Sequence, residues 1–166
     1  MADTILNILE DKYKNTVSLA STVQEKFKGT VFPTGILSLD HYGLGVGGIP
    51  SRRFSIIYGA ETSGKTVLCL QIIAQAQKAG VKDCIFVDVE NALDKILATK
   101  LGVDLNHLIL FPSDSTKDEI SGEVYAEFVI DAIRNSAPLI VVDSLAALTP
   151  EAELTEEIEE SHMGKQ

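Results

Sequence analysis

The eight residues GAETSGKT, from Gly59 to Thr66, place the strongest constraint on what this chain folds into. They fit the pattern G-x-x-x-x-G-K-[ST] and stand between two apolar runs, FSIIY and VLCLQIIA. Glycines let the backbone curl so that successive N–H groups and the positive end of the following helix face an anion. The stretch therefore predicts a strand, a phosphate-binding loop and a helix, in that order.

Three side chains fit the magnesium-assisted chemistry of such a loop. We expect Lys65 to reach the β and γ phosphates of a nucleotide and the Thr66 hydroxyl to ligate Mg²⁺. Asp143 ends the apolar run LIVVD. We place it in the Mg²⁺ shell, directly or through water, because ligands of open α/β sheets gather outside the carboxyl ends of the strands.

From Phe54 onward, short apolar runs alternate with longer helical patterns. The runs cover residues 55–58, 85–89, 108–111 and 139–143, and helices are predicted over 65–79, 92–101 and 117–135. This alternation is typical of β-α units around a parallel sheet, and so predicts an α/β fold. A capping box, Thr116 with Glu119, marks the start of the last helix.

The first part of the chain follows a different pattern. Residues 4–14 predict a short amphipathic helix, with Asp3 or Thr4 as its cap. A polar stretch and a glycine-rich, loop-forming segment then lead into the first predicted strand. We expect residues 1–30 to form a helical arm and residues 31–166 to form one core domain, without an internal repeat.

The stretch FVDVENALD supplies a carboxylate that could position an attacking water. Asp88 and Glu90 lie on one face of a strand, and Glu90, further out, is better placed to reach a γ-phosphate. The spacing also suits a capping role for Glu90 at the helix that starts near Ala92. The residues alone leave these two interpretations open.

Composition excludes several classes of function. No apolar stretch is long enough to span a membrane, and the N-terminus is unlike a signal peptide, so we expect a cytoplasmic protein. Cys69 and Cys84 have no Cys or His at metal-ligand spacing and are interpreted as buried thiols. The net charge of −10 argues against nonspecific nucleic-acid binding by the chain as a whole, and the six glutamates of residues 151–160 are interpreted as a solvated face.

Taken together, the motifs resemble the ATP-binding core of the bacterial RecA recombinases. The matching segments are PTGILSLD, GLGVGGIP, IIYGAETSGKT, FVDVENALD, KLGVD, IVVDSLAALTPEAEL and SHMG, spread over residues 31–166. Their combination is more specific than the phosphate loop, which many unrelated NTPases share. The resemblance implies a P-loop NTPase of RecA type, with a mainly parallel sheet flanked by helices.

The resemblance also implies roles for single residues. Glu90 would be the catalytic carboxylate that activates water, Lys65 the phosphate contact, and Asp94 a contact to the adenine amino group. Thr66 and Asp143 would hold the metal. The implied nucleotide contacts are Gly59, Ala60, Glu61, Thr62, Ser63, Gly64, Lys65, Thr66 and Asp94.

For the whole molecule, the resemblance implies the cofactors ATP and Mg²⁺. It implies a homo-oligomeric filament on single-stranded DNA, with homologous pairing, strand exchange and ATP hydrolysis. The N-terminal arm would pack on the neighbouring protomer. Three departures from the family pattern stand out: Leu97 replaces the tyrosine that stacks on the base, Val67 replaces a hydroxyl residue, and the lead-in HYGLGVGG is one residue longer.

The resemblance further implies that SHMGKQ begins the first DNA-binding loop. We therefore expect a core that is incomplete at its C-terminal end, with unpaired sheet edges, and that binds ATP alone without DNA-stimulated turnover. Two alternatives stay open: another RecA-fold motor ATPase, or a non-catalytic ATP-binding or filament-joining module. His162 is interpreted as an ordinary loop histidine.

Overall fold

The computed structural model describes residues 5–13, 17, 29–112 and 120–150. The chain divides into two compact units, residues 1–30 and 31–166. In the first unit, helix α1 covers Ile5–Lys12, within the predicted range; its predicted caps, residues 3 and 4, lie outside the described residues. Ile5 and Ile8 are exposed, so α1 presents apolar side chains at its surface.

A parallel sheet forms the centre of the second unit. Its strands are β3 (Cys84–Asp88), β4 (Leu108–Pro112) and β5 (Ile140–Asp143), in the order β4-β3-β5. All residues of the middle strand β3 are buried, which explains why its sequence is a continuous apolar run. The strands predicted from the runs at 85–89, 108–111 and 139–143 are confirmed.

Helices cover both faces of this sheet. Helix α2 (Lys65–Lys78) and the short α3 (Lys95–Lys100) contribute to the same core cluster as Phe86 of β3. On the other face, α4 (Gly122–Arg134) places Tyr125 in a cluster with Val87. Successive β3 side chains point to opposite faces, so one strand supplies both cores. The predicted α/β class, a parallel sheet flanked by helices, is confirmed.

Two of the helices start later than predicted. Helix α3 begins at Lys95 rather than residue 92, because the Asp88 side chain accepts hydrogen bonds from the Ala92 and Leu93 N–H groups and holds those residues in a turn. Helix α4 begins at Gly122, with Ser121 as its N-cap, rather than at residue 117. The predicted capping box at residues 116 and 119 lies outside the described residues.

The strand predicted at residues 55–58 is wrong. These residues form no strand, because none of the described residues pairs with their backbone. Ile57 packs against the α2 side of the core, whereas Phe54, Ile56 and Tyr58 are exposed. These residues have a high β-propensity, but a strand also requires a second strand to pair with.

The glycine-rich lead-in contains structure that the sequence patterns did not predict. Strands β1 (Val31–Phe32) and β2 (Ile49–Pro50) pair in an antiparallel manner. Between them, Leu39–Gly43 form one π-helical turn, in which the Leu44 N–H donates to the Leu39 carbonyl at 2.7 Å. This i→i+5 turn takes one residue more than an α-turn.

A buried carboxylate stabilises this lead-in. Asp40 Oδ1 accepts hydrogen bonds from the Thr34 N–H at 2.9 Å and from the Thr34 hydroxyl at 2.8 Å. Burial acts to raise the pKa of Asp40, but these bonds outweigh it and the pKa lies below its ordinary value. At Gly48, with φ of 145°, a Cβ would lie 2.2 Å from the Phe32 carbonyl oxygen, so only glycine fits.

Within the part of the chain that the structure describes, no helix is long and apolar enough to cross a membrane. Cys69 and Cys84 are both free thiols, one half-buried and the other buried.

Candidate nucleotide site

The loop from Gly59 to Gly64 turns tightly into the N-terminus of α2. Thr62 and Gly64 both have positive φ, 58° and 90°, and the Ser63 N–H donates to the Ala60 carbonyl at 3.3 Å. The residue before the helix, Gly64, provides no side-chain cap. The first N–H groups of a helix have no intrahelical acceptor, so this terminus offers uncapped donors to an anion.

Lys65 folds back over this loop. Its Nζ donates to the carbonyl oxygens of Ala60, at 3.0 Å, and Gly59, at 3.3 Å. Glu61 is exposed at the tip of the loop, where its carbonyl accepts a hydrogen bond from the Thr62 hydroxyl at 2.7 Å. The ammonium group and the uncapped N–H donors therefore lie at the same end of α2, as binding of a phosphate group requires.

The predicted metal residues are brought together. The Thr66 hydroxyl donates to Asp143 Oδ2 at 2.5 Å, joining residues that are 77 positions apart. Among the described residues, no group of three His, Cys, Asp or Glu side chains could hold a metal by itself. Mg²⁺ is commonly held by one or two protein oxygens together with substrate phosphates, so this hydroxyl and carboxylate beside a phosphate loop fit Mg²⁺ with a nucleotide.

Asp88 and Glu90 occupy different environments. Asp88, 3% exposed, uses both carboxylate oxygens to cap the turn at Ala92 and Leu93. Glu90 is exposed, and its Oε1 accepts a hydrogen bond from the Ser144 hydroxyl at 2.5 Å. Of the two interpretations of Glu90 left open by the sequence, the capping of this turn belongs to Asp88. The catalytic role of Glu90 stays a prediction.

Ser144, which was not predicted from the sequence, lies beside the candidate site residue Glu90. The register of β3 against β5 pairs Asp88 with Asp143, and the Val89 N–H donates to the Asp143 carbonyl at 2.9 Å. Glu90, two residues after β3, and Ser144, directly after β5, are thereby held side by side. The sequence feature that could have identified this serine is its position directly after the aspartate that ends the strand.

Asp94 is the N-cap of α3. Its Oδ1 accepts hydrogen bonds from the N–H groups of Ile96, at 2.8 Å, and Leu97, at 3.0 Å. Its Oδ2 accepts none from the described residues. The role of Asp94 at an adenine therefore stays a prediction, which would use the second oxygen.

Cys69 lies one helical turn after Lys65. Burial raises the pKa of its thiol to about 11, and the negative charge of Asp143 acts in the same direction. A thiol with this pKa stays protonated at neutral pH, so it is a poor nucleophile there.

A family model described as the RecA N-terminal domain matches residues 1–166. The chain belongs to the RecA family. Members of the RecA family are recombinases that act in DNA recombination and repair. The family in general consists of DNA-dependent ATPases that use ATP with Mg²⁺ and act as filaments on single-stranded DNA.

Proposed function

We propose that this RecA-family chain binds ATP with Mg²⁺ at the loop of residues 59–66 and is the nucleotide-binding part of an ATP-dependent DNA recombinase. The observation that carries the proposal is the hydrogen bond between Thr66 and Asp143, at the mouth of an uncapped helix N-terminus. A hydroxyl and a carboxylate placed beside free N–H donors suit a metal-bound polyphosphate.

In this proposal, the loop binds the phosphates through backbone N–H groups, and Lys65 contributes a positive charge. Lys65 now donates to two loop carbonyls, at 3.0 and 3.3 Å. These contacts to neutral carbonyls would be exchanged for stronger, charge-assisted hydrogen bonds to phosphate oxygens. Thr66 and Asp143 would hold Mg²⁺, which neutralises charge on the phosphates when it is bound.

Glu90 is the proposed base for hydrolysis. Its carboxylate would accept a proton from a water whose oxygen bonds to the γ-phosphorus while the bond from that phosphorus to the β–γ bridging oxygen breaks. The products are ADP and inorganic phosphate. Two observations support the assignment: Glu90 is exposed next to the carboxyl end of β3, and Asp88, the other candidate, is buried and uses both oxygens in capping.

Assembly into a filament on single-stranded DNA is proposed from family membership, with residues 1–30 as the oligomerisation arm. Exposed apolar side chains on two helices support self-association. On α1 they are Ile5 and Ile8, and on α4 they are Val124, Ile130 and Ile133. We place this activity in the cytoplasm.

The experiment that tests the catalytic part compares wild type, Lys65→Ala and Glu90→Gln. Mg·ATP binding and ATP turnover are measured for each, with and without a single-stranded oligonucleotide. We expect Glu90→Gln to bind Mg·ATP as wild type does, and any turnover to be lost in both variants. Turnover that persists in Glu90→Gln would remove Glu90 from the mechanism, and Mg·ATP binding that is unchanged by Lys65→Ala would exclude the loop of residues 59–66 as the binding site.

A further inference from the structure

The hydrogen bond between Ser144 and Glu90 joins two elements that are far apart in the sequence. The Ser144 hydroxyl donates to Glu90 Oε1 at 2.5 Å, across a separation of 54 residues. Strand β5 ends immediately before Ser144 and its partner β3 ends two residues before Glu90, and the Val89 N–H to Asp143 carbonyl bond, at 2.9 Å, continues the pairing. The backbone therefore fixes the position of the serine relative to the glutamate.

Glu90 needs such a restraint. It is exposed, in the turn that follows β3, and a glutamate in this setting samples many rotamers. Ser144 is half-buried, and its hydroxyl donates to a carboxylate, which makes a stronger bond than one between neutral groups. Only Oε1 accepts a hydrogen bond from the described residues, so Oε2 stays available to a water.

Ser144 also adjoins the candidate metal site. The preceding residue, Asp143, accepts the hydrogen bond from Thr66. Two consecutive residues at the end of β5 thus make two contacts. Asp143 contacts the first turn of α2, and Ser144 contacts Glu90. This arrangement fixes the spacing between the candidate metal ligands and the candidate base.

We propose that Ser144 is a positioning residue, which orients the Glu90 carboxylate for its contact with the attacking water. The inference rests on the proposed function and adds to it a residue that acts through Glu90. A restraint of this kind favours the transition state of hydrolysis and leaves binding of the product nucleotide unchanged, because the water is in place only during the reaction.

The test compares two ligands in the presence of Mg²⁺: ADP alone, and ADP with aluminium fluoride, which stands in for the phosphoryl group in transfer. Dissociation constants are measured by calorimetry for wild type, Ser144→Ala and Ser144→Thr. We expect Ser144→Ala to bind the fluoride complex roughly fivefold to tenfold more weakly, as one lost hydrogen bond predicts, with ADP affinity within about twofold of wild type. Ser144→Thr keeps the hydroxyl and is expected to bind the fluoride complex more tightly than Ser144→Ala.

Ser144→Cys repeats the test if the alanine variant folds poorly. It is close to serine in shape but a weak donor, and the same selective loss is expected. Equal weakening of both ligands would show a merely structural role and overturn the inference. Unchanged affinity for the fluoride complex would also overturn it.

The proposed function fails separately. A wild-type chain that binds neither ligand, or one whose ADP affinity is unchanged by Lys65→Ala, would overturn the nucleotide site and with it this inference. Lys65-dependent binding of both ligands, without a selective effect of Ser144→Ala, would overturn the role of Ser144 alone.

Discussion

The Thr66 hydroxyl donates a hydrogen bond to Asp143 Oδ2 across 2.5 Å and so ties the first turn of α2 to the carboxyl end of β5. Both side chains are half-buried, so the bond is partly shielded from water. The contact gives the phosphate loop a fixed position relative to the sheet. Under the proposed function, the same hydroxyl and carboxylate would hold a metal bound to a nucleotide.

Replacing Thr66 with valine should weaken both folding and metal-dependent binding. Valine keeps the shape but leaves the Asp143 carboxylate without this donor, at a cost of about 1–3 kcal/mol in the free energy of unfolding. Urea denaturation measures that cost, and a Mg²⁺ titration at fixed ATP measures the loss of metal dependence. Thr66→Ser keeps the hydroxyl and is the control. Wild-type Mg²⁺ dependence in Thr66→Val would exclude this residue as a metal ligand.

Loss of the charge should lower the free energy of unfolding at Asp88 and leave it almost unchanged at Glu90. Asp88→Asn keeps only one acceptor for the two N–H groups of Ala92 and Leu93, so we expect a loss of about 1–3 kcal/mol in unfolding free energy. Glu90→Gln changes an exposed side chain and should stay within about 0.5 kcal/mol of wild type. Urea denaturation of the two variants side by side decides the matter. A larger loss for Glu90→Gln would reverse the roles assigned to these carboxylates.

The contrast between these two acids shows what the sequence can and cannot predict. Strand alternation predicted both on one face of a strand, but β3 ends at Asp88 and Glu90 lies in the turn that follows it. It did not separate the capping residue from the exposed one, because the difference depends on the turn at Ala92 and Leu93. Ser144 was missed for a similar reason: its contact with Glu90 depends on the register between two strands.

Long-range pairing also explains the errors in the fold. The strands of the parallel sheet were predicted from local composition because helices cover both faces of that sheet. Residues 55–58 have a similar composition but no paired neighbour among the described residues, and they form no strand. The β1–β2 pair was not predicted, since Val31 and Pro50 are joined by a long glycine-rich loop without a hairpin signal.

Gly64→Ala should affect nucleotide binding, and Gly80→Ala should not. The two glycines have φ of 90° and 92°, and a Cβ at either would meet no atom within 4 Å. Alanine in this left-handed region costs about 1–2 kcal/mol at each position. Only Gly64 shapes the loop that precedes α2, so only its variant should weaken Mg·ATP binding, as measured by calorimetry. Equal affinities in the two variants would show that the loop conformation does not matter for binding.

The two cysteines should resist alkylation in the folded protein. Burial raises the pKa of both thiols to about 11, from an ordinary value of 9.0. The folded thiols therefore keep their protons between pH 9 and 11, where unfolded thiols lose them, so their contribution to stability falls as pH rises through this range. Iodoacetamide labelling followed by mass spectrometry should be slow at about pH 8 and fast in urea. Equal labelling rates in the two conditions would contradict the burial of these thiols.

The most direct test of the account is Mg·ATP binding to wild type, Lys65→Ala and Lys78→Ala, measured by calorimetry. Lys65 and Lys78 are the first and last residues of the same helix, so the variants remove equal charge from opposite ends of α2. We expect Lys65→Ala to bind at least roughly tenfold more weakly, because it loses a charge-assisted phosphate contact, and Lys78→Ala to stay within about twofold of wild type. Equal affinity in all three proteins would contradict the proposed nucleotide site.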